Sequence, residues 1–362
     1  MKLGFGLYRH QLDEEHYAFA RQCGATHLVV HLCDYFNKAG GGHSENNQPV
    51  GDSTGGWGRA GSVDDPIWSQ EGLEGLKAEI ESHDLTLYAI ENFDPGMWHD
   101  ILLDGPRRDQ QMALLQDLIR RVGAAGIPVF GYNFSIAGVS SREIGPVARG
   151  GADSVFMEQV DQTPIPEGMV WNMRYDDSPA EGDLPFFSHD VLWQRLAWFL
   201  KNLVPVAEEA GVRLAAHPDD PPVPVVRNSP RLVYQPHLYQ DLLNIAPSRS
   251  NALEFCLGTV AEMTEGDVYQ AVDEYSRNGD IAYLHFRNVK GKVPNYRETF
   301  IDDGDVDMFQ VLKILQANEF EGVLIPDHCP QMSCDAPWHA GMAYAMGYMK
   351  AAMQKIGQAG AI

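Results

Sequence analysis

The chain has 362 residues, 44% hydrophobic and 21% charged, enough to bury one large core or two medium ones. A net charge of −23 is too acidic to track a phosphate backbone, which excludes nucleic acid as an expected partner. No run approaches the roughly 20 apolar residues of a membrane-spanning helix, and the opening stretch MKLGFGLYRHQLDEEH lacks the apolar centre of a secretion signal. Five scattered cysteines without CxxC spacing give neither a disulfide framework nor a zinc knuckle, so a reduced, cytoplasmic protein is expected.

In chain order, short β-rich runs alternate with longer amphipathic stretches, the pattern that βαβ units impose. Strands are predicted at Lys2–Leu7, Leu28–Leu32, Leu85–Glu91, Ile127–Phe134, Val212–His217, Ala252–Leu257, Ile281–Phe286 and Gly322–Ile325. Helices are predicted at Asp13–Cys23, Gln70–His83, Arg107–Ala125, Asp190–Ala210, Pro236–Ile245, Gly266–Arg277, Val306–Ala317 and Trp338–Ile356. Gly24, Gly126, Gly211 and Gly279 close helices just before the next strand, which keeps those turns short. The strand-to-helix connections are longer, notably Cys33–Ser69 and Ser135–Ser188.

Eight β/α units elaborated on one set of loops predict a (β/α)8 TIM barrel with its active site at the carboxyl ends of the strands. A doubly wound sheet is the alternative; the number of consecutive units and the lack of a GxGxxG turn after the first strand count against it. The expected organisation is one barrel domain over residues 1–362 with an inserted loop or lid at 135–188. Within it, Val155–Asp176 carries Phe156, Met157, Trp171, Met173 and Tyr175, which read as a lid or an oligomer contact rather than disorder.

Four successive strand ends carry ligand-type residues: His217, Cys256, His285 and Asp327. Any one of them alone reads as a core residue, since a single strand-end histidine is usually hydrogen-bonded and a buried cysteine usually apolar. Together they make a divalent transition-metal site with open positions for substrate. The thiolate favours iron(II) or zinc over magnesium, and the mixed donor set also tolerates manganese. Further rim groups are His31, Tyr132, Asn133, Asn288, Arg287 and Glu91, the last either orienting a ligand, binding substrate or bridging the barrel mouth.

These residues resemble the metal-dependent D-mannonate dehydratases of hexuronate catabolism, TIM barrels of the xylose-isomerase-like kind. The most specific stretch is the HPDDPP run from His217 to Pro222, at the end of Val204–Pro222. Gly131-Tyr132-Asn133-Phe134, Leu284-His285-Phe286-Arg287, Gly304-Asp305-Val306-Asp307-Met308, and Pro326-Asp327-His328 followed by Gln331-Met332 also match. The resemblance implies metal ligands at His217, Cys256, His285 and Asp327, and one Mn2+ or Fe2+ per subunit. The implied reaction removes water from an aldonic acid such as D-mannonate to give a 2-keto-3-deoxy sugar acid. His328, beside Asp327, is the implied proton-transfer residue; Arg287 and, more weakly, Arg142 are cations for the acidic substrate, with Glu91 and Asn133 near it. A homo-oligomer, dimer or tetramer, is also implied.

The chain departs from the family near the site. Ile325 stands where the family commonly has arginine, Cys329-Pro330 where it has Gly-His, and His339 where it has a tyrosine thought to take part in acid–base work. The segment with Asn46, Asn47 and Trp57 is longer than usual. His339 is therefore expected to share in catalysis. These changes keep the metal and alter its surroundings, so sugar isomerisation or epimerisation is the alternative reaction. A metal- or sugar-binding module without catalysis is the third reading, which the intact His328 argues against.

Overall fold

Among the described residues, eight parallel strands close into a barrel: β1 (Lys2–Tyr8), β2 (His27–His31), β3 (Thr86–Glu91), β4 (Val129–Tyr132), β5 (Arg213–Ala216), β6 (Asn251–Cys256), β7 (Ile281–His285) and β8 (Val323–Ile325). They neighbour one another in chain order, and β8 pairs back onto β1, Lys2 opposite Val323. Outside run α1 (Glu14–Gln22), α2 (Gln70–Ser82), α3 (Arg108–Ala124), α4 (His189–Ala210), α5 (Leu238–Ile245), α6 (Val268–Asn278), α7 (Met308–Ala317) and α8 (Pro337–Ala359). The computed structural model describes residues 1–35 and 57–359, so Asn46 and Asn47 lie outside the described residues.

Capping chemistry accounts for the small shifts from the predicted boundaries. Asp13, Asp267 and Asp307 accept backbone N–H bonds as N-caps, so α1, α6 and α7 begin one residue after each. Gly211 and Gly279 end α4 and α6 at φ 69° and 74°, the left-handed turn that favours glycine. Two further helices were not predicted: Pro95–Leu103, capped by Asp94 with proline in its first turn, and the short Leu257–Glu262.

The strands separate two apolar layers. Phe5, Leu28, Phe130 and Phe255 point out against the helices, each fully buried and contributing about 1.5–3 kcal/mol. Ala89, Ala215, Ala252, Ala282, Val323 and Ile325 point in and plug the lower barrel. Above this plug the inward residues are polar. On β6 the period-two alternation takes the chain from Ala252 through Glu254 to Cys256 on one face.

The 135–188 region carries four short strands within its irregular course. Glu143–Ala148 and Ala152–Met157 pair with each other, and the second pairs with Asn295–Thr299, itself paired with Asn288–Lys292. Met169–Val170 and Met173–Arg174 form a second small sheet with Gly58–Arg59. Val155, Met157, Trp171 and Met173 are buried within the chain itself, while Phe156 and Tyr175 are half-buried. Among the described residues, no helix is long and apolar enough to cross a membrane.

Candidate metal centre and active site

The ends of β5, β6 and β7 bring His217, Cys256 and His285 together, with donor atoms within 4.8 Å of one another. One transition-metal ion with bonds of about 2.0–2.3 Å can gather such a set after small side-chain adjustments. His217 donates its Nδ1–H to the Pro218 carbonyl at 2.6 Å, which leaves Nε2 as the nitrogen available to a metal ion. His285 presents Nδ1 to Asp327 Oδ2 at 3.4 Å, which puts Asp327 at the edge of the same group. Asp327 holds this position with φ 61°, a left-handed conformation that aspartate tolerates better than most residues.

The electrostatics of the donor set favour a cation at its centre. Burial opposes ionisation of Cys256, but Arg287, His217 and His285 hold the thiol well below its usual range. Burial likewise opposes charge on His217, yet hydrogen bonding to Cys256 and the charge of Glu254 raise it to about 9. Against the same burial, Asp327 and Glu91 hold His285 well above the imidazole range, and His328, His285 and Arg287 hold Asp327 well below the carboxylate range. A thiolate and a carboxylate that draw positive charge onto the two rings between them are the donors a divalent ion would use, and binding would release those protons.

Arg287 lies behind the ligands rather than in the cavity. It is 1% exposed and donates to Glu262 at 2.7 Å, Asp220 and Thr259 at 2.9 Å each, and Asp327 at 3.1 Å. The residue expected to bind substrate thus stands off the cavity lining, its N–H groups engaged by Glu262, Asp220, Thr259 and Asp327. Arg142, the weaker expectation, does line the cavity. Its Nη1 is 3.2 Å from Asp220 and 3.7 Å from Glu298, and its Nε has no protein partner.

Above this donor set is a cavity with an empty volume of about 530 Å3. His217, His285, Asp327, His328, Glu91, Asn133 and Arg142 line its polar side, and Tyr8, Tyr35, Trp57 and Trp171 its aromatic side. Tyr35 stacks on Trp171 at 5.8 Å, and Tyr8 on His31 at 4.5 Å. Asn133 donates to the Pro218 carbonyl at 3.0 Å and keeps Oδ1 without a protein partner. His328 has Nδ1 3.2 Å from both Glu298 oxygens and Nε2 3.2 Å from Asp327 Oδ1.

His339 is not brought to this cavity. Its ring packs against Phe19 at 4.7 Å and near His16 at 5.9 Å, between α8 and α1, and the residue expected to share in catalysis is not among the residues lining the cavity. Ile325, 2% exposed, belongs to the apolar plug inside the barrel and places no cation there. Sequence reasoning missed Glu254, Glu298 and the end of β1. Glu254 and Tyr8 were recoverable, because Glu254 precedes Cys256 by two residues on one strand face and Tyr8 is the last residue of β1. Glu298 sits on a hairpin that only tertiary pairing carries to His328.

The closed barrel of eight parallel strands is a TIM barrel, a fold shared with solved xylose isomerase domain proteins from Planctomyces limnophilus, at TM-score 0.59 and 11% identity, and Alicyclobacillus acidocaldarius, at TM-score 0.57 and 10% identity. D-psicose 3-epimerase from Clostridium cellulolyticum H10 shares this fold, at TM-score 0.54 and 12% identity, over 98% of each chain. The similarity to one family runs further. The profile of the D-mannonate dehydratase (UxuA) family matches residues 52–143 and 186–361. A mannonate dehydratase of Streptococcus pneumoniae (strain 70585) is 30% identical over 274 residues, 72% of this chain and 74% of that protein. One from Lactococcus lactis subsp. lactis (strain IL1403) is 30% identical over 285 residues, 72% and 78% of the two chains. The crystal structure of mannonate dehydratase from Streptococcus suis serotype 2 superposes with TM-score 0.76 at 25% identity, covering 100% of this chain and 95% of that one. The chain belongs to the D-mannonate dehydratase family, and it is a hydro-lyase.

Proposed function

We propose that this hydro-lyase converts D-mannonate, or a closely related aldonic acid, to the corresponding 2-keto-3-deoxy acid in the cytoplasm. It would use one Mn2+ or Fe2+ held by His217, Cys256, His285 and Asp327. The observation that carries this reading is the convergence of His217, Cys256 and His285 under a cavity that also presents His328. A bound divalent ion would supply Lewis acidity to the substrate's carboxylate and neighbouring hydroxyl, easing the build-up of negative charge there.

The remaining work falls to side chains. Elimination breaks the C2–H and C3–O bonds of the acid and leaves an enol that rearranges to the ketone. His328, held between Glu298 and Asp327, would move a proton at one of these two carbons. Arg142 Nε and Asn133 Oδ1, both without protein partners, supply a donor for the substrate carboxylate and an acceptor for a hydroxyl. The aromatic side covers the apolar face of the sugar chain and keeps water out.

One observation favours sugar isomerisation or epimerisation as a second reading: Ile325 contributes no cation, and Arg142 is already paired with two carboxylates. Product mass decides between them. The Mn2+- or Fe2+-loaded protein is incubated with D-mannonate, other aldonates and free sugars, beside His328→Ala and Cys256→Ala. Loss of one water confined to aldonates, and abolished in both variants, supports the dehydratase. Mass-conserving turnover of a sugar transfers the chain to isomerisation, and retained metal with no turnover makes it a binding module. Sedimentation of the same sample tests the proposed dimer or tetramer.

A further inference from the structure

Under the ligands lies a second polar group that the proposed reaction does not use. The Glu254 side chain is fully buried, with the Tyr283 hydroxyl and the His285 ring as its polar neighbours. Its Oε1 lies 3.2 Å from His285 Nε2, and Glu91 Oε2 lies 3.4 Å from the same nitrogen. Tyr283 donates to Glu91 at 3.3 Å from the side. Gly131 on β4 makes the room: a β-carbon there would sit 2.4 Å from both Glu254 Oε2 and Tyr283 Oη. Burying a carboxyl is costly unless polar groups meet it, and this one is held against the back of the His285 ring in a space that any larger residue at 131 would close.

We propose that Glu254, together with Glu91, forms a carboxylate floor that fixes the His285 ring by its Nε2 edge and so presents Nδ1 to the metal. Glu254 is thus a positioning residue of the metal centre, an inference that rests on the metal reading above. The two ligand histidines are then held in matching ways, His217 by the Pro218 carbonyl and His285 by the floor. Turning the His285 ring over would move Nε2 away from both carboxyls and leave the floor unpaired.

Cobalt(II) loaded onto the full chain tests this without turnover. Wild type should bind one ion per chain with a thiolate-to-cobalt absorption band that Cys256→Ser removes. Glu254→Leu should weaken cobalt binding about 10–100-fold in chelator competition and shift the visible spectrum, whereas Glu254→Gln, which keeps an acceptor oxygen, should recover most of the loss. In proton NMR of the cobalt protein, wild type should show two solvent-exchangeable, metal-shifted ring N–H signals, one per ligand histidine. The His285 signal should exchange faster in Glu254→Gln, a measurement that stands even where Glu254→Leu fails to fold. Unchanged affinity and spectrum in folded Glu254→Leu would overturn the inference. So would two cobalt ions per wild-type chain falling to one in the variant, which would make Glu254 a ligand of a second ion. Absence of the thiolate band in wild type would sink the metal reading itself, and is seen before any Glu254 variant is made.

Discussion

Replacing Arg287 by methionine removes one buried cation from among four carboxylates while keeping an unbranched side chain in its channel. The guanidinium lies 2.7 Å from Glu262, 2.9 Å from Asp220, 3.1 Å from Asp327 and 3.5 Å from Glu298. Breaking a buried pair costs about 3–5 kcal/mol because the partner charge is left uncompensated, and four partners here place the expected loss at the upper end at pH 7. The pH dependence has a definite sign. Although burial works the other way, Arg287 helps to hold Asp220, Glu298 and Asp327 below the usual carboxylate range. Groups so depressed contribute stability that is present above their unfolded values, near about 4, and is lost as pH falls through their folded ones. Without Arg287 those folded values rise, so the contribution disappears at neutral pH and the two proteins converge in acid. Denaturant unfolding of chelator-treated wild type, Arg287→Met and Arg287→Lys at pH 7 and pH 5 measures the gap. Lysine should recover part of it, as a single point charge in place of a fork. A gap below about 1 kcal/mol at pH 7, or one that widens toward pH 5, would refute the reasoning.

Metal should stabilise the fold: adding Mn2+ at a hundredfold its Kd to stripped protein should contribute about 2.7 kcal/mol, and a gain that survives Cys256→Ser would put the ion elsewhere. Glu298→Gln removes the charge that faces His328, so kcat should fall at least about tenfold with KM little changed, part of the 10²–10⁴ that acid–base catalysis typically contributes. An unaltered kcat would release Glu298 from that role. His339→Leu should leave kcat within about twofold, under roughly 0.5 kcal/mol of barrier, because the ring packs on Phe19. A tenfold fall would return His339 to the reaction.

The barrel was readable because each of its parts announces itself locally: an apolar run, an amphipathic run, then a glycine that can take a left-handed turn. The gathering of His217, Cys256 and His285 was readable for a related reason, since a strand end in this architecture fixes where a side chain emerges. Directions that depend on packing were not. His339 occupies the start of α8, and its contacts with Phe19 and His16 turn it toward α1 instead of the cavity. Arg287 follows His285 closely enough to suggest substrate, yet Glu262 and Asp220 draw it behind the ligands. Glu298 reaches His328 through pairing between Asn288–Lys292 and Asn295–Thr299, and no spacing near His328 encodes that meeting.

The left-handed backbone at Asp327 limits how this centre can be retuned. At φ 61° only glycine, asparagine and aspartate sit without strain, and of these aspartate alone brings an anionic donor. Glutamate or histidine there would add strain and move the donor atom together. Cys256 has φ −83°, an ordinary extended conformation open to most residues. Changes of metal preference, in evolution or in the laboratory, thus have an easier route through the sulfur on β6 than through the carboxylate that follows β8.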